Sequence, residues 1–407
     1  MRVGLLGGWG TGNPGNDATA RAVADHLRGE HDVVLVTYAD RPAPVEGLEG
    51  LPCVPLGEGD AGGGRTRVGR ALHRVRAAAA GVRRAWRSGR TAGAMVVTGG
   101  GFFEAEATAG VGVLEMLALS VLTFASSTHG RTLVVLAVGG TTTSRRWERT
   151  LLALSMRRAS YRSFRDLGSR DAMVRMGGAL PDDPVSTDVV FASTAGPEPT
   201  RDGGAPAVRE DPGLLALGVM RFPWLGPGGA AELARTSYVQ ALADAVERHV
   251  AAGGRAALLG GDAADLAVVE AVGAEAARRL GPDATGRSVE SWGVPSFAEQ
   301  VARIARCDAV AASRFHTVVA AVVAGRPVVA VADRAKVRAL MADAGLSPWV
   351  VGARGLEAAR LDKLLGELRD RDAEVRGTVV AARDRLAATA RSQLRELDEV
   401  LAGARGR

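Results

Sequence analysis

The chain opens MRVGLLGGWGTGNPGNDA over residues 1–18, and the reading of this stretch decides the fold. Val3–Leu6 is a short apolar run of strand character. The glycine-rich loop Gly7-Gly8-Trp9-Gly10-Thr11-Gly12-Asn13-Pro14-Gly15-Asn16 follows it directly. A helix then begins near Asp17 and carries Ala18, Val23 and Leu27. Strand, glycine loop and helix in that order start a βαβ unit. Outward from it, Val33–Thr37, Met95–Thr98, Leu133–Val138, Tyr161–Phe164 and Val189–Phe191 read as further strands, alternating with Ala/Leu/Arg segments of helical period. A second series follows at Leu214–Val219, Ala256–Leu259, Ala309–Ala312 and Val328–Val331, with helical stretches such as Ala230–Ala251 and Phe297–Arg306 between them. Residues Gly196–Gly213 hold proline, glycine and charge with almost no apolar side chain, which marks a linker. Beyond Gly355 the chain reads as helix, with Val379, Ala382, Leu386, Leu394 and Leu397 on an apolar face.

The pattern predicts an α/β protein of two Rossmann-like, doubly wound domains facing a cleft, with C-terminal helices. The expected spans are 1–195, a linker over 196–213, 214–352, and helices over 353–407. In such sheets ligands bind outside the carboxyl ends of the strands, so loops at those places carry the functional expectation.

Composition agrees with a globular protein. With 407 residues, 47% of them apolar, there is enough chain for a core in each domain, and whole-chain disorder is excluded. Two cysteines, Cys53 and Cys307, are too few for a disulfide framework and fit a reducing cytosol. Residues 1–10 hold no apolar run of signal-peptide length. The longest uncharged stretch, Met116–Gly130, falls short of the ~18–20 residues of a membrane span. A cytoplasmic protein is expected, with peripheral membrane contact left open. Of the 51 cations all but Lys336 and Lys363 are arginine, which suits carboxylates and phosphates and is equally a product of coding bias.

Five places could carry chemistry. In the first loop Gly10, Gly12 and Gly15 satisfy G-x-G-x-x-G, and Asp40 ends the next strand where a ribose-binding acid would sit. Its backbone N–H groups suit an anion at a helix N-terminus; the plainer reading is a tight turn with Asn16 or Asp17 as the helix cap. The second is Thr98-Gly99-Gly100-Gly101-Phe102-Phe103-Glu104, where three glycines after a strand point to close approach of a ligand or another backbone. The third, Ser313-Arg314-Phe315-His316, ends a strand and opens the helix Thr317–Gly325. It offers a fixed cation beside an imidazole, a pair suited to proton transfer on an anionic substrate, or else a capping His and a surface ion pair. Fourth, Arg221 closes the first strand of the second domain, as a cleft cation or a solvated side chain. Fifth, Arg65–Arg90 carries nine arginines and no acid, with Val68, Leu72, Val75, Val82 and Trp86 near one helical face. It reads as an outer helix packed on the sheet; the sharper reading is a patch drawn to anionic lipid or a lipid-diphosphate acceptor. Nucleic acid is not expected, since no recognised module or interleaved aromatics accompany the basic stripe. Neither a metal-ligand spacing nor a nucleophile elbow is present.

Taken in order, these pieces resemble the polysaccharide pyruvyl transferase family. The family's N-x-G-D-E-A opening is similar to Asn13-Pro14-Gly15-Asn16-Asp17-Ala18, with Asn16 in place of Asp. Its G-G-G loop matches Gly99–Gly101, with Glu104 where Asp or Gln-Asp is common. Its R-D-x-x-S resembles Arg165-Asp166-Leu167-Gly168-Ser169, followed by Asp188. Its S-R-x-H and G-x-P-V resemble Ser313-Arg314-Phe315-His316 and Gly325-Arg326-Pro327-Val328. The resemblance spans roughly residues 3 to 346. It implies a GT-B-like fold and transfer of a pyruvyl group from phosphoenolpyruvate to sugar hydroxyls as a cyclic ketal. Phosphoenolpyruvate is then a co-substrate, and no other cofactor or metal is expected. The resemblance also implies Arg314, His316 and Arg221 at the phosphoenolpyruvate site. His316 is expected as general acid/base and Asp17 as a positioning or deprotonating group. Asn13, Asn16, Gly12, Gly15, Gly100, Gly101 and Glu104 are expected on the acceptor side. The expected acceptor is a sugar, or a lipid-linked or nucleotide-linked sugar. A GT-B glycosyltransferase using a nucleotide sugar and a non-catalytic sugar-binding relative are the competing readings, with a nicotinamide dehydrogenase a distant third. Oligomeric state is left open.

Overall fold

The computed structural model describes residues 1–37, 39, 42–56, 67–99, 113–193, 213–226 and 228–405, with side chains described outside 67–78, 113–119 and 405. The linker core at 194–212, Asp40, Gly100, Gly101 and Glu104 lie outside the described residues. The chain forms two compact units, Met1–Ser193 with Ala388–Arg407, and Thr194–Ala387.

In the first unit, β1 (Arg2–Gly7), α1 (Pro14–Leu27), β2 (Asp32–Thr37), β3 (Cys53–Pro55), α2 (Arg67–Thr91), β4 (Ala94–Thr98), α3 (Val113–Thr128), β5 (Thr132–Val138), α4 (Arg146–Arg157), β6 (Tyr161–Phe164) and α5 (Leu167–Met176) succeed one another. The sheet order is β3-β2-β1-β4-β5-β6 and every pairing is parallel. A parallel sheet is covered on both faces, so its central strands are uninterrupted apolar runs, as AMVVT in β4 and TLVVLAV in β5. One face packs Leu6, Met95, Val97 and Val135 with Ala85 of α2, Leu122 of α3 and Leu152 of α4. The other packs Val3, Leu5 and Val96 with Val23 and Leu27 of α1. Leu394, Leu397 and Leu401 join that second face from the far end of the sequence.

In the second unit, β7 (Leu214–Val219), α6 (Ala230–Leu233), α7 (Ser237–Ala251), β8 (Arg255–Gly260), α8 (Leu266–Leu280), α9 (Pro282–Ser288), β9 (Val289–Gly293), α10 (Phe297–Ile304), β10 (Ala309–Ala312), α11 (Phe315–Val323), β11 (Val328–Val331), α12 (Ala335–Asp343), β12 (Val350–Val351), α13 (Ala358–Asp370) and α14 (Asp372–Arg405) follow. The order β12-β11-β10-β7-β8-β9, all parallel, repeats the arrangement of the first sheet. Both sheets reverse direction of growth between their first and fourth strands. The crevices where doubly wound sheets hold ligands therefore lie at the carboxyl ends of β1 and β4 in one unit, and of β7 and β10 in the other.

Several expectations change. Val189–Phe191 is part of a 3-10 helix, Val189–Ser193, turned by the Asp188 carboxylate, which accepts the Val190 N–H at 3.1 Å. The stretch Ala230–Ala251 is two helices, because Thr236 caps a new start by accepting the Val239 N–H. Val68, Leu72 and Val75 lie outside the described side chains, and over 79–91 the inward side of α2 differs from the expected one. Gly81, Ala85 and Gly89 face the protein, and a Cβ at Gly81 would stand 2.4 Å from the Leu56 carbonyl oxygen. Neighbouring backbone comes so close that only small residues fit there, which leaves Val82 and Trp86 half-exposed.

The apolar face expected near the C-terminus is buried, with Val379, Ala382, Leu386, Leu394 and Leu397 all under 9% exposed. From Ala388 onward α14 belongs to the first unit. There Gln393 Nε2 donates to Ser163 Oγ at 2.7 Å, and Ser163 Oγ accepts the Ala137 N–H at 3.0 Å. Ala137 has φ of 48°, in the left-handed region that β5 enters where its register with β6 shifts. The Tyr161 hydroxyl donates to Glu396, and His26 of α1 meets Asp398 at 2.9 Å.

Candidate functional site

The second unit holds the more closely built group. β7, β10 and β8 are neighbours in the sheet, and Arg221, Arg314 and Asp265 follow their carboxyl ends. Asp265 has no solvent exposure. Its carboxylate accepts a fork of two bonds from Arg314, from Nε at 2.8 Å and Nη2 at 2.7 Å. The same carboxylate accepts the Arg221 N–H at 2.7 Å and the Gly261 N–H at 3.0 Å. Four donors on two oxygens fix the carboxylate, and the fork fixes the guanidinium plane. Burial works against the Arg314 charge, but the bonds to Asp265 outweigh it and hold the guanidinium above its usual value. Arg314 is thus a permanent cation whose Nη1 pair and one Nη2 hydrogen are not used by Asp265.

Arg314 is also the N-cap of α11, where the helix dipole adds positive potential. The helix begins at Phe315, two residues earlier than the expected Thr317. His316 lies in its first turn, half-buried, with its ring edge-on to Phe315 at 5.2 Å. Ser313 is anchored on Tyr238, whose hydroxyl lies 2.7 Å from Ser313 Oγ and accepts the Met220 N–H at 3.2 Å. Burial raises the Tyr238 phenol far above its ordinary value, so it stays neutral and bridges the ends of β7 and β10. The Arg221 guanidinium points elsewhere: Nη2 donates to the carbonyls of Gly226 and Gly228 at 2.9 and 2.7 Å. Arg221 thereby orders the turn that carries Trp224, over whose ring Arg354 lies at 5.6 Å.

The sequence reading placed Arg221, Arg314 and His316 here and missed Asp265 and Tyr238. The available signal was Gly260-Gly261-Asp262, a glycine pair ending a strand and leading into Asp265. A Cβ at Gly261 would stand 2.9 Å from Cγ of Arg314, so the glycine lets the arginine stem pass. Gly261→Ala is expected to push Arg314 off its fork and weaken anion binding several-fold, with a stability loss of about 1–3 kcal/mol. Titration calorimetry and urea unfolding read the two effects; an unchanged pair of values would show that the stem has room to move.

In the first unit, the loop after β1 is held by its own side chains. The Trp9 indole is buried, donates to the Leu5 carbonyl at 3.1 Å and roofs Gly7. Gly10 and Gly12 have φ of 66° and 84°, a conformation glycine adopts without strain. The helix cap is Asn13, neither Asn16 nor Asp17: its Oδ1 accepts the Gly15 and Asn16 N–H groups, and α1 begins at Pro14. Asp17, in the first turn, accepts the Gly10 N–H at 2.8 Å and ties the loop to the helix. Burial raises the Asp17 carboxyl, with the Gly10 bond opposing. Asn16 reaches the Gly8 carbonyl only at 3.5 Å. At the end of β4, a Cβ at Gly99 would stand 3.5 Å from Trp9, so Gly99 adjoins the first glycine loop at the switch point. The R-D-x-x-S stretch is structural in its geometry. Asp166 caps α5, accepting the Ser169 N–H and hydroxyl at 2.7 and 2.8 Å, and the buried Arg165 lies between Asp166 and Asp188.

The model of the polysaccharide pyruvyl transferase family matches residues 13–333, from the Asn13 cap past the Arg314 strand end to just beyond β11. The chain belongs to the polysaccharide pyruvyl transferase family. Among solved structures it is similar to HepE of Anabaena in complex with UDP-glucose, at 15% identity and a TM-score of 0.60, covering 99% of this chain and 100% of that one. It is also similar to MurG of Acinetobacter baumannii, at 13% identity and 0.56, covering 98% and 99%. The UDP-GlcNAc 2-epimerase of Neisseria meningitidis bound to UDP-GlcNAc is similar at 10% identity and 0.60, covering 98% and 100%. At these identities the likeness is one of fold, and it makes this pyruvyl transferase family member GT-B-like. No curated protein is matched by the sequence.

Proposed function

We propose that this protein transfers a pyruvyl group from phosphoenolpyruvate to hydroxyls of a sugar or glycan-type acceptor, releasing phosphate and forming a ketal. The observation that carries this reading is the buried fork between Asp265 and Arg314, in the S-R-x-H stretch of a pyruvyl transferase family member. Phosphoenolpyruvate bears a carboxylate and a phosphate. A guanidinium held in one plane with donors to spare suits either group, and the N-terminal end of α11 favours the same charge. In the proposed sequence His316 delivers a proton to the methylene carbon, and C2 becomes electrophilic. An acceptor hydroxyl then bonds to C2, and its proton passes to the His316 imidazole that the first step left neutral. A second hydroxyl bonds to C2 as the bond from C2 to the phosphate oxygen breaks, and its proton leaves with the phosphate. In this reading Asp17, which ties Gly10 to the first turn of α1, positions an acceptor hydroxyl, with Gly12, Asn13, Gly15 and Asn16 as acceptor contacts.

The test is binding and turnover by the full chain. Phosphoenolpyruvate is expected to raise the melting temperature and to release phosphate when hexosides are supplied. Arg314→Ala is expected to weaken phosphoenolpyruvate binding roughly 10- to 100-fold, the worth of a charged hydrogen bond. HepE of Anabaena is solved in complex with UDP-glucose and with UDP, which gives the competing reading its shape. Protection by a nucleoside diphosphate and none by phosphoenolpyruvate would replace the proposal with a nucleotide-sugar glycosyltransferase.

A further inference from the structure

The helices α2, α3 and α4 cover one face of the first sheet, and their outer sides leave a groove of about 730 Å³ between them. Its floor is apolar. Trp86 stacks with Phe124 at 6.3 Å between ring centres, and Val121, Leu151 and Leu154 continue the surface. Phe124 and Leu154 are each 44% exposed, an unusual position for large apolar side chains on adjacent helices. Arg83, Arg87 and Arg158 line the same groove, and no carboxylate does among the described residues. Arg158 lies over the Phe124 ring at 5.0 Å. The sequence around it is as one-sided. Residues 65–158 hold 15 arginines and four acids, a net of +11 in a chain whose total is +6, so the remainder is acidic on balance.

We propose that this face docks on an anionic lipid bilayer. Aromatic and aliphatic side chains sunk into the headgroup boundary, with arginines at their edge, form an interfacial contact. The arginines add attraction to an acidic leaflet. No helix among the described residues is long and apolar enough to cross a membrane, so the contact is peripheral. A second copy of the chain is the poorer occupant, since a two-fold contact on this face would set the same arginines against one another. The inference rests on the groove alone and does not depend on the reaction.

Co-sedimentation of the full chain with vesicles tests it. The protein is expected to pellet with phosphatidylglycerol vesicles, to stay in solution with phosphatidylcholine, and to be released by high salt. Each arginine near an acidic surface is worth roughly fivefold in partitioning, so the Arg83→Glu/Arg87→Glu protein is expected to lose about 25-fold or more. Phe124→Ser/Leu154→Ser keeps the charge and is expected to weaken binding as well. All four side chains are exposed, and unchanged melting of both variants shows that the fold is kept. Equal pelleting of wild type and variants, or no pelleting with phosphatidylglycerol, would overturn the proposal. So would a dimer, seen by light scattering, that Phe124→Ser/Leu154→Ser dissolves.

Discussion

Asp265→Ala is expected to destabilise the second unit by about 3–5 kcal/mol, the usual result of removing one partner from a buried ion pair. The carboxylate has no exposure, and its loss strands more than a cation. The N–H groups of Arg221 and Gly261 lose their acceptor at the same moment. Asp265 is a positioning residue, because its oxygens are engaged by the protein's own donors. Asp265→Asn separates the two contributions: an amide oxygen still accepts an N–H, but it cannot take the fork of a guanidinium as an anion. That variant is expected to lose less stability and still to bind phosphoenolpyruvate poorly. Urea unfolding gives the stability change as a shift in midpoint at constant slope. A loss below about 1 kcal/mol for Asp265→Ala would mean that water replaces the carboxylate without penalty and that the fork is incidental.

His316→Ala is expected to lower turnover by about 10²–10⁴, the range for a positioned proton donor. Phosphate release from phosphoenolpyruvate with hexosides reads it. The imidazole lies two residues from the fixed cation, in the first turn of the helix that the cation caps. Removing it leaves Arg314 on Asp265, so phosphoenolpyruvate binding is expected to stay within a few-fold of wild type. A fall in kcat with little change in binding separates proton transfer from anion recognition. Near-wild-type phosphate release by His316→Ala would remove the residue from the chemistry.

The sequence made the central strands legible because a sheet covered on both faces demands continuous apolar runs, and β1, β4, β5, β7 and β10 are such runs. It hid β3, β9 and β12, which lie at or near the sheet edges and are short or carry charge, as in VESWG. Val189–Phe191 misled because three buried apolar residues pack as well in a 3-10 turn as in a strand. On α2 the periodicity favoured large side chains for the buried face, whereas the closeness of neighbouring backbone selected glycine and alanine. Arg314 and His316 were visible because they are neighbours on a strand end. Asp265 was not, since 49 residues separate it from Arg314 and only the parallel pairing of β7 with β8 and β10 brings them together.

The last turns of α14 have a consequence for how the protein can be made. The first unit is assembled from both sides of the second: Leu394, Leu397 and Leu401 cover Val3, Leu5 and Leu27, and Gln393 steadies the turn at Ala137. During synthesis the second unit, continuous in sequence, is complete while the first still shows an uncovered apolar face. A fragment cut between the units is therefore missing part of its own core, and the amino-terminal unit cannot be produced intact without residues 388–405. The ribosome delivers the cover for the first fold after the second has left it.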